Sequence, residues 1–107
     1  MTYLEVSNMI KSMGLPYAYY QFREPPPLPF VVYYYPDSDN FNADNKSYQQ
    51  IMYLNIELYT DNKDFANERI IEDVLSANDI PYRKQETYIQ DEHMYQTLYE
   101  SEVLINE

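Results

Sequence analysis

The chain has 107 residues, 45% of them hydrophobic, and its 18 acidic and 7 basic side chains give a formal net charge of −11. This length suits a single folded domain with its own core, residues 1–107, and leaves no room for a second. The negative charge disfavours binding to nucleic acid or anionic lipid, and the absence of cysteine excludes disulfides. The sequence has neither the cationic start of a signal peptide nor an apolar run long enough to span a membrane, so we expect neither feature.

The first predicted element is a short helix near residues 2 to 13. Thr2 and Glu5 have the spacing of a capping box, and apolar residues then recur at helical spacing as far as the only glycine, Gly14. Because Pro16 prevents the helix from continuing, we expect the aromatic segment from Tyr17 to Phe22 to be a strand.

A proline-rich stretch from Arg23 to Pro29 follows and predicts a stiff polyproline-II connector. The same stretch is similar to ligands of WW and SH3 domains, which leaves a binding role open. The next run, from Phe30 to Tyr35, is rich in strand-forming residues and apolar on both faces, so we expect a central strand that Pro36 ends.

The segment from Asp37 to Ser47 is polar, and its length predicts a loop longer than a normal hairpin connection. Asp37, Asp39 and Asn42 partly match a calcium-binding loop, but Phe41 occupies a ligand position and no glutamate closes the motif. We therefore expect no metal and no cofactor here.

The segment from Tyr48 to Ile89 indicates a strand, a helix and a second strand. From Gln50 to Tyr59 aliphatic and polar side chains alternate, which predicts a strand with one buried face. Residues 63 to 77 form an amphipathic helix whose predicted buried stripe comprises Phe65, Ala66, Ile70, Ile71, Val74 and Leu75. Three carboxylates, Glu68, Glu72 and Asp73, are assigned to its solvated side, and Asn78 is placed to end it in the left-handed region.

The last two elements are predicted strands. Residues 82 to 90 alternate with one charged face, which is typical of a strand near a sheet edge, and residues 94 to 105 end in β-branched residues that favour a strand over a helix. His93, the only histidine, falls in the intervening turn, where we expect a solvated residue rather than a general base.

These elements predict an α+β fold: a two-layer sandwich in which two helices cover one face of a mainly antiparallel, four- to five-stranded sheet. The remaining face would be available to partners. The candidate protein-interface residues, on that face and in the long loop, are Tyr33, Tyr35, Phe41, Tyr53 and Tyr59. No phosphate-binding glycine loop, nucleophile elbow or zinc-binding histidine pair is present, so we expect no catalysis.

Several segments, taken in order, resemble a known family. They are the short N-terminal helix, Pro26 to Tyr34, Leu54 to Thr60 before a phenylalanine-containing helix, Ile80-Pro81-Tyr82, and Met94-Tyr95-Gln96 before a strand with Tyr99 and Glu100. Together the pattern resembles the tail terminator, or head-to-tail joining, proteins of long-tailed bacteriophages and prophages, and it covers nearly the whole chain.

The resemblance implies an α+β virion protein that is made in the host cytoplasm and is not an enzyme. It also implies a homo-oligomer, a hexameric ring that caps the tail tube and docks it to the head connector. Two alternatives stay open: an intracellular adaptor that binds one protein through the tyrosine-rich face or the proline run, and an enzymatic or small-molecule-binding α+β domain.

Overall fold

A computed structural model describes residues 1–39 and 49–107, although not the side chain of Gln49. Helix α1 spans Tyr3–Lys11 and helix α2 spans Phe65–Ala77. The strands are β1 (Tyr17–Tyr19), β2 (Phe30–Tyr34), β3 (Ser38–Asp39), β4 (Gln49–Thr60), β5 (Tyr82–Ile89) and β6 (Met94–Asn106). A single 3-10 turn, Gln90–Glu92, joins β5 to β6.

The strands of the described chain form one sheet in the order β1-β2-β4-β6-β5, with β3 paired to the far end of β4. The pairings are antiparallel except that of β1 with β2, which is parallel. This confirms the α+β prediction, with six strands in place of four or five. The extra strand is β3, too short to be read from alternation, while β5 lies at the sheet edge as expected.

Both helices pack on one face of this sheet. Buried side chains of α1, such as Ile10, and of α2, such as Ile71 and Leu75, share one core with Leu54 and Ile56 of β4. Thr2 caps α1 through the expected capping box, its hydroxyl accepting from the Glu5 amide at 3.1 Å. We call this side of the sheet the helix face and the opposite side the open face.

At two turns the backbone differs from the sequence-based predictions. Strand β1 ends at Tyr19 and does not reach Phe22, because Tyr20 adopts the left-handed conformation at φ 69° and turns the backbone out of the strand. At the end of α2 the left-handed residue is Asp79, at φ 56°, whereas Asn78 has φ −100°. Gly14 is left-handed after α1, at φ 78°, as predicted.

The charged side of α2 differs from its prediction. Glu68 is only 2% exposed and forms ion pairs of 2.7 Å with both Lys63 and Lys84, so it lies between the helix and β5 and not in solvent. Phe65, which was assigned to the buried stripe, is 72% exposed. The helix therefore meets the sheet through Glu68, Ile71 and Leu75, a stripe rotated from the purely apolar one.

Two of the candidate interface tyrosines lie on the helix face, which corrects the expectation that all four sheet tyrosines share the uncovered face. Tyr33 pairs directly with Ile56, a core residue, and is 8% exposed. Tyr35 packs against the same core and meets Tyr3 of α1 edge-on at 5.3 Å between ring centroids. The physical reason is register: a strand that is apolar on both sides does not reveal by its own pattern which side the helices cover.

Candidate protein interface

The open face is the side of the sheet on which neither α1 nor α2 packs its buried residues. Its described residues on β4 are Ile51, Tyr53, Asn55, Glu57 and Tyr59, each half-buried. The strand register places Val32 of β2 and Leu98 of β6 directly beside Glu57. Glu57 therefore lies on the central strand of the sheet, opposite the middle residue of β2.

The Glu57 carboxylate accepts a hydrogen bond on each of its oxygens. Tyr34 donates its hydroxyl proton to one oxygen and Tyr59 donates to the other, both at 2.6 Å. Each hydroxyl also accepts from an amide side chain: Gln96 donates to Tyr59 at 2.9 Å and Asn55 donates to Tyr34 at 3.4 Å. We call this five-residue network the Glu57 hub.

Aromatic rings flank the hub on both sides. Phe30 lies against Tyr59 with ring centroids 5.3 Å apart, and Phe22 meets Phe30 edge-on at 5.1 Å. On the other side Tyr20 lies 4.8 Å from Tyr34. The left-handed turn at Tyr20 thus lets the chain after β1 fold its rings over the open face instead of extending the strand.

The hydroxyl groups of the hub are held in their protonated form. Burial, followed by the hydrogen bond to Glu57, raises the pKa of Tyr59 to about 12. Burial is also the main cause of the raised pKa of Tyr34, to which the charge of Glu57 adds. Both tyrosines therefore act as donors to the carboxylate throughout the neutral range.

A groove of about 600 Å³ extends the open face beyond the hub. It runs from Tyr53 and Asn55 on β4 to Glu100 and Glu102 on β6 and to Arg83 on β5. Carboxylates thus outnumber basic groups along the groove as well as at the hub. The described part of the open face presents aromatic rings interspersed with negative charge.

Of the five predicted interface residues, Tyr53 and Tyr59 lie on the open face, Tyr33 and Tyr35 lie on the helix face, and Phe41 falls outside the described residues. Sequence reasoning missed Glu57, although the β4 alternation places it between Tyr53 and Tyr59 on the same side. It also missed Tyr34 and Phe30, because their position depends on how β2 pairs with β4.

Tyr33 and Tyr35 belong to a second aromatic cluster with Tyr3 and Tyr19, which lines a cleft of about 530 Å³ beside α1. Tyr19 meets Tyr33 edge-on at 5.2 Å and lies 6.0 Å from Tyr35. Because the rings pack directly against one another, this cluster mainly fixes α1 to the β1 end of the sheet.

The remaining candidate groups are the histidine and the incomplete calcium motif. His93 is exposed and left-handed, at φ 51°, in the turn before β6, as expected for a solvated turn residue. Asp37 and Asp39 flank Ser38 at β3, and Asn42, the third part of the incomplete calcium motif, lies outside the described residues. Within residues 1–39 and 49–107 no cluster of three potential metal-binding side chains occurs.

Neither of the two described helices has the length and apolar character needed to cross a membrane. In comparisons with known proteins, no family model matches the chain and no curated protein matches it.

Proposed function

We propose that this chain is a non-enzymatic structural protein of a long-tailed bacteriophage or prophage, a virion component that caps the tail tube and joins it to the head connector as a hexameric ring. The proposal combines the family resemblance of the sequence with the open, aromatic face of the sheet. The single observation that carries it is this face, in which the Glu57 hub is bordered by exposed or half-buried rings.

The composition of the open face supports a protein partner. Tyrosine and phenylalanine are enriched at protein interfaces, because a ring buries a large area while a hydroxyl keeps a polar partner. On the open face Tyr20 is 62% exposed, and Tyr34 and Tyr59 are half-buried. Such a patch gains most when another protein covers it and excludes water from it.

The shape of the chain supports a ring. A closed ring needs a heterologous contact, in which one patch meets a different patch on the next copy. The two edges of the sheet differ: β1 is a three-residue strand next to aromatic clusters, whereas β5 is an eight-residue strand bearing Arg83 and Lys84. Unlike patches on opposite sides favour head-to-tail contacts over a simple two-fold dimer.

Light scattering and native mass spectrometry over a range of protein and salt concentrations test the ring. We expect a hexamer whose formation is favoured by salt, because copies with a charge of −11 repel one another at low ionic strength. The variant with Tyr53→Ser and Tyr59→Ser should assemble more weakly. Its matched control is Tyr88→Ser, since Tyr88 is 48% exposed but pairs with Tyr95 on the helix face.

A strict monomer at high protein and salt concentration that also fails to bind tail tube ends would refute the joining role. A monomer that binds one partner protein through the open face would instead support the adaptor alternative. A ring that the paired substitutions leave unchanged would reject only the open face as its contact surface.

A further inference from the structure

We propose that the Glu57 hub is a docking site for an arginine side chain presented by a different protein. The inference rests on the proposed use of the open face as an assembly surface and adds the chemistry of the partner. The observations behind it are the charge state of the hub, the rings beside it and the field of the whole chain.

The hub contains a negative charge that no basic side chain of the described chain neutralises. The ion pairs within residues 1–39 and 49–107 all join Lys63 or Lys84 to carboxylates between α2 and β5, and none includes Glu57. Glu57 instead receives two neutral hydroxyl groups, which leave one lone-pair direction free on each oxygen. A half-buried carboxylate that lacks a basic partner is stabilised by a cation that approaches from the open face.

The rings around the hub favour arginine among cationic groups. A planar guanidinium can stack flat on an aromatic ring while it donates two parallel hydrogen bonds to one carboxylate. An ammonium group can contact a ring and a carboxylate together, as Lys63 does with Phe65 and Glu68, but it lacks this planar, two-pronged geometry. Tyr59 and Tyr34 border the two oxygens of Glu57, with Phe30 packed against the first and Tyr20 against the second, so aromatic rings lie beside the carboxylate on both sides.

Charge complementarity argues for a partner other than a second copy. The chain is strongly acidic, with three arginines in its whole sequence, so approach of another copy is repelled at long range. Glu100 and Glu102 extend the negative surface along the groove from the hub. A protein segment that carries arginine next to apolar residues matches this surface in both charge and polarity.

A peptide titration followed by NMR tests the proposal. The probe is the capped tripeptide Gly-Arg-Gly, and its control is the same peptide with citrulline, which keeps the shape of arginine without the charge. We expect the arginine peptide to give saturable shifts at the amides of β2, β4 and β6 around the hub, and the citrulline peptide to bind at least about tenfold more weakly. This comparison uses the wild-type protein alone.

Substitutions then locate the site. E57Q should weaken arginine binding at least about tenfold, whereas E92Q, the same change of charge in the exposed turn between β5 and β6, should alter it less than about twofold. Equal binding of both peptides, equal binding by E57Q, or shifts confined to α2 and β5 would overturn the proposal. So would a crosslink showing that the arginine bound at the hub belongs to a second copy of this chain.

The size of the protein alone, measured in parallel, separates the two proposals. A ring that ignores the arginine peptide leaves the proposed function standing and refutes the docking site. A monomer that binds the peptide through Glu57 supports the docking site and counts against the ring.

Discussion

Replacing both lysines that hold Glu68 should destabilise the fold more than replacing Glu68 itself. Glu68 is 2% exposed, and its two oxygens lie 2.7 Å from the Nζ atoms of Lys63 and Lys84. In the double variant Lys63→Met and Lys84→Met, a buried carboxylate would lose both of its cations. Breaking a buried pair in this way typically costs about 3 to 5 kcal/mol.

Glu68→Gln leaves a milder defect. Lys63 keeps its ion pair with Glu86 and Lys84 keeps Glu72 at 2.7 Å, while side-chain exposures of 29% and 35% give both lysines access to water. The loss then resembles that of one charge-assisted hydrogen bond, about 1.5 to 3 kcal/mol.

Urea denaturation at neutral pH, followed by circular dichroism, compares the two variants. Lys11→Met is the matched control, since Lys11 is exposed in the last turn of α1 and its loss should change the free energy of unfolding by less than about 0.5 kcal/mol. If Glu68→Gln lowered the free energy of unfolding as much as the double lysine variant, or if the double variant left it unchanged, the inference that the two lysines compensate the buried charge of Glu68 would be refuted.

Three further outcomes are expected. Leu54→Ala removes a fully buried side chain from the centre of β4 and should lower the free energy of unfolding by about 2 to 5 kcal/mol in the same urea assay; a loss below about 1 kcal/mol would contradict its place in the core. Thr2→Ala deletes the hydroxyl that caps α1 and should cost about 1 kcal/mol, whereas Thr87→Ala on the exposed edge strand should be nearly silent. The Tyr59 hydroxyl should titrate near pH 12 when followed by NMR at its own ring, because ultraviolet absorbance would sum all 14 tyrosines, and Glu57→Gln should lower that pKa. Because the pKa of Tyr59 is higher in the folded than in the unfolded chain, its contribution to the free energy of unfolding is fully present below about pH 10 and is lost as the pH rises towards 12.

The parts of the fold that follow from local rules could be predicted from the sequence. The capping box at Thr2, the left-handed Gly14 and the alternation of β4 each depend on a few neighbouring residues. Strand β6 was predicted correctly against a competing helix because its β-branched end disfavours helical side-chain conformations. In each case the local preference and the tertiary structure agree.

Prediction failed where a long-range neighbour decides the outcome. Glu68 stands three residues before Ile71 and seven before Leu75, so it occupies the buried stripe of α2 by spacing alone. A polarity rule assigned it to solvent, because the sequence does not show that Lys84 on β5 will lie opposite it. Glu72, also assigned to solvent, accepts from Lys84 and from the Tyr99 hydroxyl at 2.8 Å.

The candidate interface likewise combines local features that the sequence predicts with long-range features that it does not. The β4 pattern placed Tyr53 and Tyr59 on one side, and the structure keeps them there, since side-chain alternation is local. Tyr33 and Tyr35 were assigned to that side as well, but their direction depends on the pairing of Tyr33 with Ile56. The hub itself needs β2, β4 and β6 in register, which no single segment encodes.

The two proposals for the open face predict opposite effects of salt concentration on binding, and the reason is the charge of the chain. Contacts between copies bring together surfaces that each belong to a molecule of charge −11, so screening by salt removes a repulsion and strengthens them. An arginine at Glu57 is attracted by the hub and by Glu100 and Glu102, so screening removes an attraction and weakens it. A ring contact and a partner contact on the same chain can therefore be told apart without any substitution, because rising salt must strengthen the first and weaken the second.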